Sequence, residues 1–260
     1  KHERGFIKRK PFRGKRKTQG QFSKFFMIHT RNIRLKLLKL GGSAIFTVME
    51  KVVDIETWNR RESYEFFKEF QDPFVGLSVD IEVTDFYRYC KSKGLGIHHP
   101  LLYATLAAAN DFEPIALRRK GEGVVLYDTI DMGCSVLKKD QSFTFAYYNW
   151  IQGESFDDFL IRTTEITRAA AKGIPLDPRP GRTNLIYGTT LPWVSFTSFS
   201  HPKQGGGHSI PRTVFGKIFE RDRKWYLPFH LEVDHALMDG LDMSMYLSKV
   251  ENQLRALAKL

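Results

Sequence analysis

Beyond residue 48 the chain switches repeatedly between the two hydrophobic periods that mark strands and helices. Residues 52–55 read as a short strand, and residues 58–70 as a helix with Phe66, Phe67 and Phe70 on its apolar side. Residues 77–83 alternate apolar and polar, after which Thr84 caps a helix that runs to Lys93 and stops at Gly94. Pro100 falls in the first turn of an alanine-rich helix ending near Asn110. A hairpin pairs 115–120 with 124–127 around Gly121-Glu122-Gly123, and strands follow at 132–137 and 143–148. Ser155 with Asp158 makes a capping-box-like start to a helix reaching Ala171, and the proline- and glycine-rich stretch 173–182 reads as a loop. Strands at 184–189 and 193–199 lead to a Gly205-Gly206-Gly207 tip, and a last hairpin joins 212–220 to 225–233. In the final helix Met243, Tyr246, Leu247, Val250, Leu254 and Leu257 fall on one stripe. Strands outnumber helices and tight turns join several of them. The expected fold is therefore α/β, a mixed sheet with helices packed on it, in one domain over residues 49–260.

Composition changes this picture little, but charge does. Of 260 residues 42% are apolar and 27% charged, which excludes a disordered or collagenous chain. No run approaches the roughly 18 apolar residues of a membrane-spanning helix. Cys90 and Cys134 are too few for a disulfide framework and lack metal-ligand spacing, so they read as small packed hydrophobes in a reducing compartment. The net charge of +11 is local. Residues 1–48 hold 14 Lys and Arg against the single acid Glu3, and the remainder holds 26 against 28. The basic segment reads as a disordered or non-native extension ahead of a start at Met49. A nucleic-acid arm or a membrane-surface helix is the alternative from another functional class.

The chemistry-bearing stretch is Pro228 to Gly240. Phe229, Leu231 and Val233 alternate with His230, Glu232 and Asp234, as in a half-buried strand. His235 continues the apolar phase at the strand's end, which aims an imidazole inward. Histidine is the side chain whose ordinary titration range reaches neutrality, so one held in a dry pocket suits a general base. Asp239 follows four residues later and has two available jobs, orienting the histidine or pairing with a cation to fix the turn. Gly240 relieves crowding where the chain enters the helix. His98 and His99 read as helix-start residues, and no metal is expected because no carboxylate or cysteine stands at ligand spacing.

His235-Ala236-Leu237-Met238-Asp239-Gly240 resembles the signature shared by CoA-dependent acyltransferases. Met49-Glu50-Lys51 with Trp58-Asn59-Arg60-Arg61-Glu62, the run Pro192 to Phe199, and Phe215-Gly216-Lys217 resemble the chloramphenicol acetyltransferase family, in order from Met49 to the C-terminus. The resemblance implies a two-layer α/β sandwich forming a cytoplasmic homotrimer with sites between subunits, active in antibiotic resistance. It also implies direct transfer of acetyl from acetyl-CoA to a hydroxyl of chloramphenicol or a similar small molecule. By position His235 would be the base and Thr189 the oxyanion donor, where the family has serine. Asp239 would pair with Arg60 as structural support. Lys217 and Trp193 would meet the CoA, with core packing the plainer reading of Trp193, and Phe67 and Phe143 would line the acceptor pocket. The departures are Asp234 for a second histidine, Val214 for a pocket threonine, with Thr213 one place away, and Ile97 for a lysine near CoA. A related acyltransferase with another acceptor is the nearest alternative.

Overall fold

The structure is a computed structural model that describes residues 49–179, 181–202 and 208–260, all within one unit. The basic arm and the Gly205-Gly206-Gly207 tip lie outside the described residues. In chain order the elements are β1 (Glu50–Val52), α1 (Arg61–Phe67), β2 (Phe74–Glu82), α2 (Thr84–Ser92) and α3 (His98–Asn110). A 3-10 turn (Glu113–Ala116) leads to β3 (Leu117–Lys120), β4 (Gly123–Tyr127), β5 (Asp131–Leu137), β6 (Phe143–Tyr148) and α4 (Phe156–Ala171). The chain closes with β7 (Leu185–Thr190), β8 (Arg212–Phe215), β9 (Phe219–Arg221), β10 (Lys224–Asp234) and α5 (Gly240–Leu257).

The main sheet runs β2-β10-β8-β7-β5-β6, with β9 added to β10. The pairs β5/β7 and β7/β8 are parallel and the others antiparallel, so the sheet is mixed. Helices α2 to α5 cover one face, where Phe215, Phe229, Leu231 and Val233 meet Leu102, Leu106, Tyr246 and Val250 in the principal core. All six residues of the α5 stripe are buried. A separate three-stranded sheet, β1-β4-β3, and α1 enclose a second core of Val53, Trp58, Tyr64, Leu117, Val124, Ala236 and Leu237. Cys90 and Cys134 are buried thiols, and burial pushes Cys90 up to about 11, consistent with packing instead of reactivity.

Several elements differ from their sequence pattern. The first strand is Glu50–Val52, not 52–55, because Val53 already turns into the second core while its N–H bonds the Val124 carbonyl. The helix expected over 58–70 shortens to α1, and Phe66 and Phe70 lie exposed instead of in a core. Ile115 belongs to the 3-10 turn rather than to the hairpin. Residues 193–199 form no strand: β7 ends at Thr190, and Pro192 has no N–H with which to extend the ladder. Strand β10 is not half-buried, since every residue from Leu227 to Asp234 is buried on both faces. It lies between β2 and β8, with its polar face covered as well. The β9–β10 turn puts Asp222 and Arg223 at positive φ of 53° and 62°, the twist a two-residue hairpin requires.

Candidate active site

The six-residue turn after β10 is held by its apolar members. Ala236 and Leu237 are sunk in the second core and Met238 in the principal core. Burial of these three against two different clusters leaves His235 and Asp239 little freedom. The His235 N–H continues the sheet by bonding the Pro73 carbonyl at 2.8 Å. Its ring stacks on Phe67, centroids 4.0 Å apart at 15°. Its Nδ1 lies 3.2 Å from the Met238 carbonyl oxygen. A carbonyl can only accept, so Nδ1 carries the hydrogen and Nε2 keeps its lone pair. That is the tautomer of a base presenting Nε2.

Asp239 does not touch the histidine. Its Oδ1 accepts from the Leu241 and Asp242 N–H groups, at 2.9 and 3.2 Å, and caps α5, while Asp242 Oδ2 returns a bond to the Asp239 N–H. Arg60 Nη1 reaches Asp239 Oδ2 at 2.8 Å and Asp242 Oδ2 at 3.1 Å. Partial burial pushes Asp239 up, but the Arg60 hydrogen bond and the capping N–H groups more than offset it and hold it below its ordinary range. At Asp242 burial wins and the shift is upward. One guanidinium thereby ties α1 to the start of α5. Asp234, on the strand face opposite Val233, is buried: it accepts from the Ala236 N–H at 2.9 Å, and burial raises its carboxyl above the usual range. Arg119 stands 3.5 Å away, with its other end on the Lys68 carbonyl.

The remaining sequence candidates lie elsewhere. Thr189 pairs with Val214 across β7 and β8, and Val214 pairs with His230 across β8 and β10. These three side chains share the face opposite the helices, because their neighbours Phe215 and Phe229 point into the principal core. Thr189 is therefore level with a residue five positions before His235 and two strands away. At about 3.3 Å per residue and about 4.8 Å per strand, it is offset about 16 Å along the sheet and about 10 Å across it. Thr213 faces the opposite way from Val214, its hydroxyl 3.4 Å from the Tyr187 carbonyl, so it does not substitute for a threonine at 214. Phe143 is half exposed on the edge strand β6, remote from Phe67. Trp193 is 67% exposed, which overturns its core reading. Beside it the Lys217 N–H bonds the Val194 carbonyl at 2.9 Å, and the Ser195 hydroxyl donates to the Lys217 carbonyl at 2.8 Å. An exposed indole and an exposed lysine thus share one surface. One chain brings together His235, Phe67, Arg60 and Asp239, and separately Trp193 and Lys217, but not the two groups.

Sequence reasoning missed the role of the Met238 carbonyl, which no side-chain pattern encodes. It also missed His98, whose Nδ1 lies 3.0 Å from the Thr190 hydroxyl at the end of β7. Burial, then the neighbouring His99, lowers His98 to about 4. Ile97 precedes α3 and packs against the principal core.

A sequence model of the family described as chloramphenicol acetyltransferase matches residues 49–251. A chloramphenicol acetyltransferase of Clostridium perfringens is 28% identical over 203 residues, covering 77% of this chain and 92% of that protein. One from Staphylococcus aureus is 25% identical over 218 residues, covering 78% and 98%. A solved chloramphenicol acetyltransferase superimposes with a TM-score of 0.68 at 28% identity, over 79% of this chain and all of the other. A probable dihydrolipoamide acetyltransferase of Listeria monocytogenes, 15% identical over 75% of this chain and 89% of its own, shares the fold at a TM-score of 0.57.

Proposed function

The chain belongs to the chloramphenicol acetyltransferase family, and from that membership we propose that it transfers acetyl from acetyl-CoA to a hydroxyl of chloramphenicol, an antibiotic-resistance activity in the cytoplasm. Residues 49–260 form the catalytic unit, and the family match begins at residue 49. The observation that carries the mechanism is the His235 Nδ1 bond to the Met238 carbonyl, which leaves Nε2 as the basic atom. His235 takes the acceptor's hydroxyl proton while that oxygen forms a bond to the thioester carbonyl carbon. General-base assistance of this kind contributes about 10²–10⁴-fold. Thr189 donates its hydroxyl to the resulting oxyanion, a donor type worth about 10²–10³-fold. The C–S bond then breaks, and His235 returns the proton to the departing CoA thiolate. Phe67 and Phe143 wall the acceptor, Trp193 and Lys217 meet the CoA, and Asp239 with Arg60 keeps the turn in place.

Because Thr189 and His235 of one chain are far apart, the working site pairs His235 of one copy with Thr189 of another, in a homotrimer. A ring of three such heterologous contacts closes on itself and makes three equal sites. The test is CoA release by the purified chain with acetyl-CoA and chloramphenicol, beside His235→Ala. Rapid release that falls by about 10³-fold or more in the variant supports both the reaction and the base. Release only with other hydroxyl acceptors would keep the mechanism and change the acceptor. Undiminished release by the variant would remove His235 from the base role.

A further inference from the structure

The helix-free face of β10 buries a second ionisable cluster that the proposed reaction does not use. His230 and Glu232 on β10, with His201 in the segment that follows Trp193, each offer one ligand atom, and these atoms lie within 4.8 Å of one another. Only 4% of His230 and 5% of Glu232 is exposed. The outer contacts are already arranged. His230 Nδ1 and the Ser78 hydroxyl share a hydrogen bond of 2.8 Å, and His201 Nδ1 lies 3.0 Å from Glu232 Oε2. Glu232 Oε2 is also 3.3 Å from Arg212 Nη1, and that guanidinium is stacked on Phe74 with its carbon 4.2 Å from the ring centre. What is left over is informative: among the described residues, Nε2 of both histidines is buried with no hydrogen-bond partner. His230 Nε2 stands 3.5 Å from Glu232 Oε1.

Buried polar atoms normally have partners, and two imidazoles beside one carboxylate, each ring keeping one unpartnered nitrogen, make a donor set for a cation. Ligands 2.0–2.1 Å from a tetrahedral ion stand about 3.3 Å apart, close to the His230–Glu232 separation. Gly76 makes room for the arrangement, since a Cβ there would lie 3.0 Å from Glu232 Cγ and 3.1 Å from His230 Cε1. We propose that His201, His230 and Glu232 bind one zinc ion, with Ser78 orienting His230 and the fourth position left to water. Two imidazoles and a carboxylate suit zinc better than the oxygen-seeking divalent ions. The bound ion ties the segment carrying Trp193 to the strand that ends at His235. Arg212 stays beside Glu232 and tempers the affinity. This site departs from the sequence expectation of no metal and does not depend on the proposed reaction.

The test uses the untagged full chain, stripped with a chelator and titrated with zinc chloride by calorimetry and thermal melting, with cobalt(II) as a spectroscopic substitute. One equivalent of zinc should bind and raise the melting temperature by several degrees, and cobalt should give a visible band of tetrahedral intensity. His201→Ala, whose side chain is near the surface, and Glu232→Gln should each weaken binding by about 100-fold or more, more than loss of an outer-shell partner does. His99→Gln, elsewhere in the chain, should leave binding unchanged. Absence of any zinc-dependent rise in melting temperature, or undiminished binding by a His201→Ala protein of unchanged circular dichroism, would overturn the site.

Discussion

The corner around His235 and the corner around Thr189 are finished to different degrees within one chain. At the first, the ring nitrogen, the stacked face, the backbone N–H and the turn's apolar residues all have partners, and Arg60 ties two helices together below it. At the second, a half-buried hydroxyl on the helix-free face of the sheet is followed by an indole 67% exposed and a lysine facing solvent. The wired corner is complete in its own chain because its parts come from adjacent elements, the end of β10 and the start of α5, with α1 packed over them. Among the described residues, the open corner holds no histidine base within reach of Thr189 comparable to His235, which lies about 16 Å along the sheet and about 10 Å across it. Two half-sites of this kind make sense if each copy supplies its base to one neighbour and its oxyanion donor to the other.

The sharpest way to break that comparison is to divide the two corners between chains. His235→Ala and Thr189→Val should each be nearly inactive alone, yet co-expressed in equal amounts they should recover about a quarter of the wild-type rate, because one interface in four then joins two intact halves. A mixture no more active than its components would place both residues in one chain's site and overturn the shared arrangement. A smaller effect probes the wiring. Arg60→Ala leaves Asp239 and Asp242 facing each other without a cation, and since Asp239 is 42% exposed the expected loss is about 2 kcal/mol, not the larger cost of a dry ion pair. Chemical denaturation would read it; an unchanged midpoint would mean the cap alone holds the turn. His98, beside the open corner, gives the smallest effect. Its folded form titrates near 4, far below the 6.5 of a free histidine, so below pH 6.5 the unfolded chain binds more protons and stability falls as pH drops. Part of the residue still meets solvent, so between pH 7 and 5 the parent should lose only about 1 kcal/mol more than His98→Gln. Equal acid sensitivity in the two proteins would show that His98 is not the group responsible.

The elements set by local chemistry were legible before any coordinates. The cap at Ser155 and the stripe on α5 depend on residues within a few positions of one another, and the structure contains them, whereas the cap that Asp239 makes on α5 was not read from the sequence. The run 193–199 misled because apolar spacing says nothing about whether a neighbouring strand is there to receive it. Strand β10 misled in the opposite sense: alternation of Phe229, Leu231 and Val233 with polar residues looks like one wet face, but a central strand can bury both. The pairing of Arg60 with Asp239 rested on a family resemblance, since no periodicity links residues 179 positions apart.

By itself the sequence determined the α/β class, most element positions and the stretch that holds the histidine, because these follow from side-chain period, capping and turn chemistry within short windows. Tertiary structure alone decided the histidine tautomer, through a main-chain carbonyl that every residue possesses. It also decided the burial of His230 and Glu232 against His201, and the distance between His235 and Thr189. Strand order and register fix these, and they depend on which distant segments pack together, information that no local pattern carries.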